Sequence, residues 1–173
     1  SKWAVVACDQ YTAQPEYWEE VKGVVGNAPS TLNIIYPEAW LAQGEARIES
    51  INRTMAEYEK EVLTEKFTGF VLVERSTQSG HRLGLMAAVD LEAYDFYPDA
   101  HSLIRATEGT VLSRIPPRVK IRQNAPLETP HVMLLVDDQN DLLIRPLYED
   151  RGRMEMLYDL NLMMNGGRLR AWK

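Results

Sequence analysis

The chain has 173 residues, three histidines and one cysteine, and its 25 acids outnumber its 19 lysines and arginines to leave a net charge of -6. A diffuse acidic surface repels phosphate backbones, so general nucleic-acid binding is disfavoured, although a local basic patch can still hold one compact anion. A single cysteine excludes an intrachain disulfide, and one cysteine with three histidines is too few for a structural zinc site of the usual kind; both fit a reducing, cytoplasmic setting.

Composition is near the globular average, with 45% hydrophobic and 25% charged residues, and folding at this size hides roughly 70% of the unfolded surface. The expectation is a single α/β domain over residues 1–173. No apolar run reaches the roughly 18 residues of a membrane helix. The chain enters an apolar run at once after Ser1-Lys2 and ends at Leu169–Lys173, inside an expected strand. Both ends look cut, and a fragment of a longer protein is expected.

Trp3–Cys8 (WAVVAC) reads as a buried strand. Pro15–Val25 reads as a helix, opened by Pro15, favoured by Glu16, Glu19 and Glu20 near its positive end, stopped by Gly26, with Tyr17, Val21, Val24 and Val25 on its apolar side. Thr31–Tyr36 (TLNIIY) suggests a strand, and Pro37–Leu41 a short helical turn. In Gly44–Glu65 the spacing of Ile48, Ile51, Met55, Tyr58 and Val62 in steps of three and four predicts the clearest helix.

Phe67–Glu74 and Arg82–Leu91 are expected strands around a Ser76–Gly80 tip, and a turn is expected around Pro98. His131–Val136 (HVMLLV) and Leu142–Leu147 (LLIRPL) suggest a hairpin closed by the polar 137–141 turn, with Pro146 at an edge. Another hairpin is expected around Asn165-Gly166-Gly167, since both residue types tolerate positive φ. The order implies an α+β (mixed α/β) fold with a largely antiparallel or mixed sheet, two to three helices and a hairpin-rich C-terminal half.

Residues 104–122 (IRATEGTVLSRIPPRVKIR) stand out. They gather Arg105, Arg114, Arg118, Lys120 and Arg122 against one acid, Glu108. Arginines grip phosphate or carboxylate oxygens bidentately. Thr107, Thr110 and the N–H of Gly109 could complete a cradle. Pro116-Pro117 could open a helix whose first N–H groups face a ligand, with Arg118 and Arg122 on one side. Glu108 is the catalytic candidate. Neighbouring arginines would lower its pKa, which favours orienting a hydroxyl or a magnesium ion (Mg2+) over service as a base. The competing reading pairs these cations with surface acids such as Asp90, Glu128, Asp137 and Asp138.

Elsewhere, Cys8 and the methionines read as core residues, His131 as a packing residue, and the 137–141 acids as a turn lacking calcium-loop spacing. No P-loop, nucleophile elbow, zinc-helix motif or dinucleotide fingerprint is present.

Trp3–Gln10, Pro15–Trp18, Pro29–Asn33, Arg82–Leu85, Ile104–Thr110, Pro116–Arg118 and Asn124–Pro126 together resemble a bacterial and archaeal family of uncharacterised proteins, the domain of unknown function number one thousand and fifteen. The resemblance implies a longer parent chain and brings no established activity. Many members have a His-Glu-x-Thr pattern; Glu108 and Thr110 match it, while Thr107 stands where the histidine would be, so a role needing that histidine does not carry over. The pattern is also distantly similar to the ParB and sulfiredoxin superfamily, which includes nucleotide-binding proteins and a free-serine kinase. Without the sulfiredoxin cysteine motif, peroxiredoxin repair is not implied.

Two functions are consistent with these residues. One is binding of a phosphate-containing ligand, a nucleotide or phosphometabolite, with phosphoryl-transfer or hydrolase activity. The other is a non-catalytic module that recognises a protein or small anionic ligand, with Trp3, Trp18, Trp40 and Trp172 available for an interface.

Overall fold

A proline at the head of a helix removes an N–H that has no intrahelical partner anyway, and α1 (Pro15–Val25) begins in this way. It ends where Gly26, at φ +58°, donates its N–H to the Lys22 carbonyl at 2.8 Å. These coordinates come from a computed structural model that describes residues 1–8, 10–97, 101–106, 109–129 and 131–173. Asp9, Pro98 with Asp99, and Pro130 therefore lie outside the described residues.

Helix α1 buries Tyr17, Trp18, Val21 and Val25, so Trp18 takes the place expected of Val24, which is 42% exposed. The Trp18 indole N–H donates to the Tyr11 carbonyl at 3.0 Å. Helix α2 (Gly44–Glu61) buries Ile48, Ile51, Met55 and Tyr58, the spacing read from the sequence, and stops one turn short of Glu65. These two faces seed two clusters. Trp18, Val21, Val25, Leu32, Trp40 and Met163 belong to one, and Ile34, Ile51, Met55 and Tyr58 to the other.

Two strands expected around these helices do not form. Thr31–Ile34 is a 3-10 turn, and Trp3–Cys8 has no ladder partner. Hydroxyls at the meeting point explain this. The Ser30 Oγ accepts from the Leu32 N–H at 3.2 Å, and the Thr31 Oγ1 accepts from the Val5 N–H at 3.2 Å. Thr31 donates both its N–H and its hydroxyl to the Trp3 carbonyl, each at 3.0 Å. Side chains thus take the groups that a backbone ladder would need. Cys8, expected in the core, is exposed. The turn expected near Pro37 is present as Glu38–Gln43.

The remaining chain builds a four-stranded antiparallel sheet of order β2-β1-β6-β5, together with a parallel pair of two-residue strands, β3 (Tyr94–Asp95) and β4 (Ile104–Arg105). Strands β1 (Val71–Thr77) and β2 (Gly80–Met86) form one hairpin, and β5 (Met156–Asn161) and β6 (Arg168–Trp172) form the other. The hairpin expected around Asn165-Gly166-Gly167 forms, but positive φ falls on Met164 and Asn165, at 54°, and on Gly167, at 90°, and not on Gly166; Leu162 N–H donates to the Gly167 carbonyl at 2.8 Å. The fold is mixed α+β.

The hairpin expected from 131–147 is absent. The Asp138 carboxylate accepts the N–H groups of Leu142 and Leu143, both at 2.8 Å, and a short helix α4 (Ile144–Glu149) follows. Asp138 thus supplies the acceptors that start a helix, and Pro146 falls in its first turn, where a missing N–H is tolerated. Residues 131–136 run without a ladder. Helix α3 (Ile115–Gln123) opens with the expected prolines.

The Gly167 backbone provides a direct check of the β5–β6 turn. At φ 90° an L-residue is strained, and a Cβ there would run into the Ser76 carbonyl. Gly167→Ala is expected to cost about 3 kcal/mol or more in urea unfolding, whereas Gly152→Ala, with open space around it, should change stability by less than about 0.5 kcal/mol. Equal effects would contradict this packing.

Candidate functional site

Helix α3 carries the basic stretch and leans on α2 and the turn before it. Arg114 Nη2 lies 2.9 Å from Glu38 Oε1. Lys120 pairs with Glu45. Arg122 meets Glu128 bidentately, at 2.5 and 2.9 Å. All three pairs are partly or fully exposed, so each contributes at most about 1 kcal/mol to stability. Arg118, exposed, lies one turn from Arg122 on α3, as expected, and exposed Arg105 lies on β4 opposite Asp95. Neither Arg105 nor Arg118 has a carboxylate within 4.0 Å among the described residues. Thr110 is exposed, and Thr107 and Glu108 lie outside the described residues.

The helix opening is poorer in donors than the sequence suggests. Pro116 and Pro117 have no N–H, and the Ile115 N–H is spent on the Leu112 carbonyl. Of the first four N–H groups, only that of Arg118 can face a ligand. Between α3 and α2 lies an open groove of about 230 Å³, lined by Tyr36, Leu41, Ile48, Pro116, Pro117 and the Glu45–Lys120 pair. Its walls are mostly apolar, with that ion pair at the edge.

The four tryptophans do not supply an open interface. Trp18, Trp40 and Trp172 are buried, and Trp3 packs beside Tyr58 at a 5.4 Å ring separation. Among the described residues no group of three His, Cys, Asp or Glu side chains is placed to hold a metal ion.

A charged cluster on the sheet was not foreseen. Glu74 on β1, 5% exposed, lies directly across from Arg170 on β6, with Oε2 and Nη2 2.6 Å apart. Arg170 is in turn opposite Asp159 on β5, which Arg168 holds bidentately at 2.6 and 2.5 Å. Tyr148 of α4 meets the Trp172 ring edge-on at 6.2 Å. Burial pushes the Glu74 carboxyl up, but the nearby Arg170 and Tyr148 side chains, with the charge of His81, more than offset this and hold it below the usual glutamate range. Glu74 therefore stays ionised and is a poor proton acceptor; it suits holding strands and charges in place. Alternation in FVLVE places Glu74 on the same face as Leu72, but nothing local names its distant partner.

The chain belongs to the family described as "Protein of unknown function (DUF1015)", whose profile matches residues 1–173. No curated protein and no solved structure matches the chain.

The lowered Glu74 pKa fixes the sign of a pH effect. Its stabilisation is fully present above the unfolded glutamate value of about 4.3 and is lost as pH falls through the lower folded value. The stability gap between the natural chain and Glu74→Gln should shrink as the solution is acidified through that window. Arg170→Ala, which strands a buried carboxylate, should cost about 2–3 kcal/mol at neutral pH. A gap independent of pH would contradict an ionised Glu74.

Proposed function

We propose that this chain binds a small phosphate-containing ligand, a nucleotide or phosphometabolite, through residues 104–122, and that the bound group is positioned for phosphoryl transfer or hydrolysis. One observation carries the reading. In a chain with more acids than bases, this stretch holds five cations against one acid, and Arg105 and Arg118 have no carboxylate partner among the described residues. An arginine left without a carboxylate is free to take a phosphate in its planar fork.

Labour then divides along the helix. Arg114, Lys120 and Arg122 fasten α3 to Glu38, Glu45 and Glu128. Arg105 and Arg118, with the hydroxyls of Thr107 and Thr110, grip the anion. Glu108 orients the attacking hydroxyl or water, or holds a magnesium ion that accompanies the phosphates. Phosphoryl transfer needs positioning and charge neutralisation more than covalent catalysis, so such a sparse set can suffice. The distant likeness of residues 106–110 to the ParB and sulfiredoxin superfamily, with its nucleotide-binding members, points the same way. No described helix is long and apolar enough to cross a membrane.

Calorimetric titration with ATP, ADP and a sugar phosphate, each with magnesium, tests the proposal. Binding tighter than about 100 μM is expected for at least one. Arg118→Ala and Arg105→Ala should each weaken it about tenfold, equivalent to about 1.4 kcal/mol, and Glu108→Gln should slow phosphate release followed by phosphorus NMR. Absence of heat with all three ligands, or equal affinity in the arginine variants, would overturn it.

A second reading, a module that recognises another protein, has its own observation. Val132, Met133, Leu134, Leu135 and Val136 form an unbroken apolar run that is 45–86% exposed, a display uncommon on a monomer. Light scattering of the purified chain, alone and as Leu135→Lys, tests for self-association through this run. A monomer in both cases would leave this reading without that support.

A further inference from the structure

A second candidate for anion binding lies away from α3. Helix α1, the 3-10 turn at Thr31–Ile34, the turn at Glu38–Gln43 and the first turn of α2 border a cavity of about 170 Å³. Its lining is Lys22, Leu32, Asn33, Trp40, Gln43 and Arg47. Nearly all of it is polar or aromatic, with no carboxylate.

Trp40 is the fixed surface, 7% exposed and packed against Trp18 at a 5.5 Å ring separation. Two cations share its ring: Arg47 Cζ lies 4.8 Å and Lys22 Nζ 4.9 Å from the centroid. Arg47 is the unusual member. Its Nη2 donates to the carbonyls of Leu32 at 2.8 Å and Ile35 at 2.9 Å, so the guanidinium is locked in orientation. Its Nε is buried with no partner. Among the described residues no acid lies within 4.0 Å of it, and Nη1 has no protein acceptor. Burial lowers its pKa.

Buried charge is normally compensated by an opposite charge, because desolvation is costly. Two carbonyls and an indole face compensate only part of a guanidinium. At the rim, Lys22 is 2.7 Å from Glu19, but both are well exposed, so that pair is weak and the ammonium can turn inward. Asn33 is tethered through its amide to the Tyr58 hydroxyl at 2.8 Å, which makes that wall rigid. An oxyanion would compensate the remainder of this partly buried charge.

We propose that this cavity binds the oxyanion group of a small metabolite, a carboxylate or a phosphate, between Arg47 and Lys22, with the rest of the molecule against Trp40. This site is separate from the one on residues 104–122 and does not depend on it.

The test uses the full 173-residue chain with inorganic phosphate, pyrophosphate and succinate as probes. The readout is the Trp40 indole N–H signal in proton–nitrogen NMR spectra, assigned by its loss in Trp40→Phe. At least one probe should shift it saturably; phosphates or succinate acting alone would identify the preferred group. Lys22→Ala should weaken that binding several-fold and Lys22→Glu should abolish it. Both change an exposed side chain, so the folded spectrum serves as a control. Arg118→Ala should leave this titration unchanged. No shift with any probe, or Lys22→Glu binding as tightly as the natural chain, would overturn the proposal.

Discussion

The Glu74–Arg170 pair stands where the two hairpins of the sheet meet. Strands β1 and β6 are neighbours in space but far apart along the chain, and these side chains are directly opposed across that junction. The carboxylate is nearly shut off from water and 2.6 Å from the guanidinium. Cross-strand charge pairs add only fractions of a kcal/mol on an open sheet, yet a buried carboxylate deprived of its partner is far more costly. One ion pair therefore specifies register and hairpin pairing together.

Pairing of this kind also sorts the cations of an acidic chain into two kinds. Arg168, Arg170, Arg114, Lys120 and Arg122 each join one element or loop to another through a carboxylate. Arg47 is held instead by carbonyls and an indole ring, and Arg105 and Arg118 are held by no carboxylate among the described residues. The first group has its countercharge within the fold. The second has electrostatic capacity left for a ligand, and that difference connects the two proposed sites even though they occupy different surfaces.

Periodic burial was legible from the residues alone. Helices α1 and α2 bury a side with regular spacing, and a hairpin closes at the expected Asn-Gly-Gly stretch, although positive φ falls on Met164, Asn165 and Gly167. Segments whose fate depends on a side chain bonding to backbone were not. Ser30 and Thr31 turn an apolar, β-branched run into a 3-10 turn, and Asp138 binds the backbone just ahead of a helix where an apolar hairpin arm was expected. The basic stretch was visible as a charge anomaly, but its carboxylate partners were not all named: Glu128 was foreseen, while Glu38 and Glu45 come from the first third of the chain. Arg47 gave the weakest signal, since beside Ile48 on a polar-looking helix it reads as one more surface cation. Its role follows only from the turn that folds over it.

Arginine side-chain Nε–Hε resonances report on each guanidinium separately and so address the division between committed and available cations most directly. On titration with pyrophosphate, Arg47, Arg105 and Arg118 are expected to shift saturably, while Arg122 and Arg168, already bonded to Glu128 and Asp159, stay in place. Shifts spread evenly over all five, or confined to Arg122 and Arg168, would contradict that division.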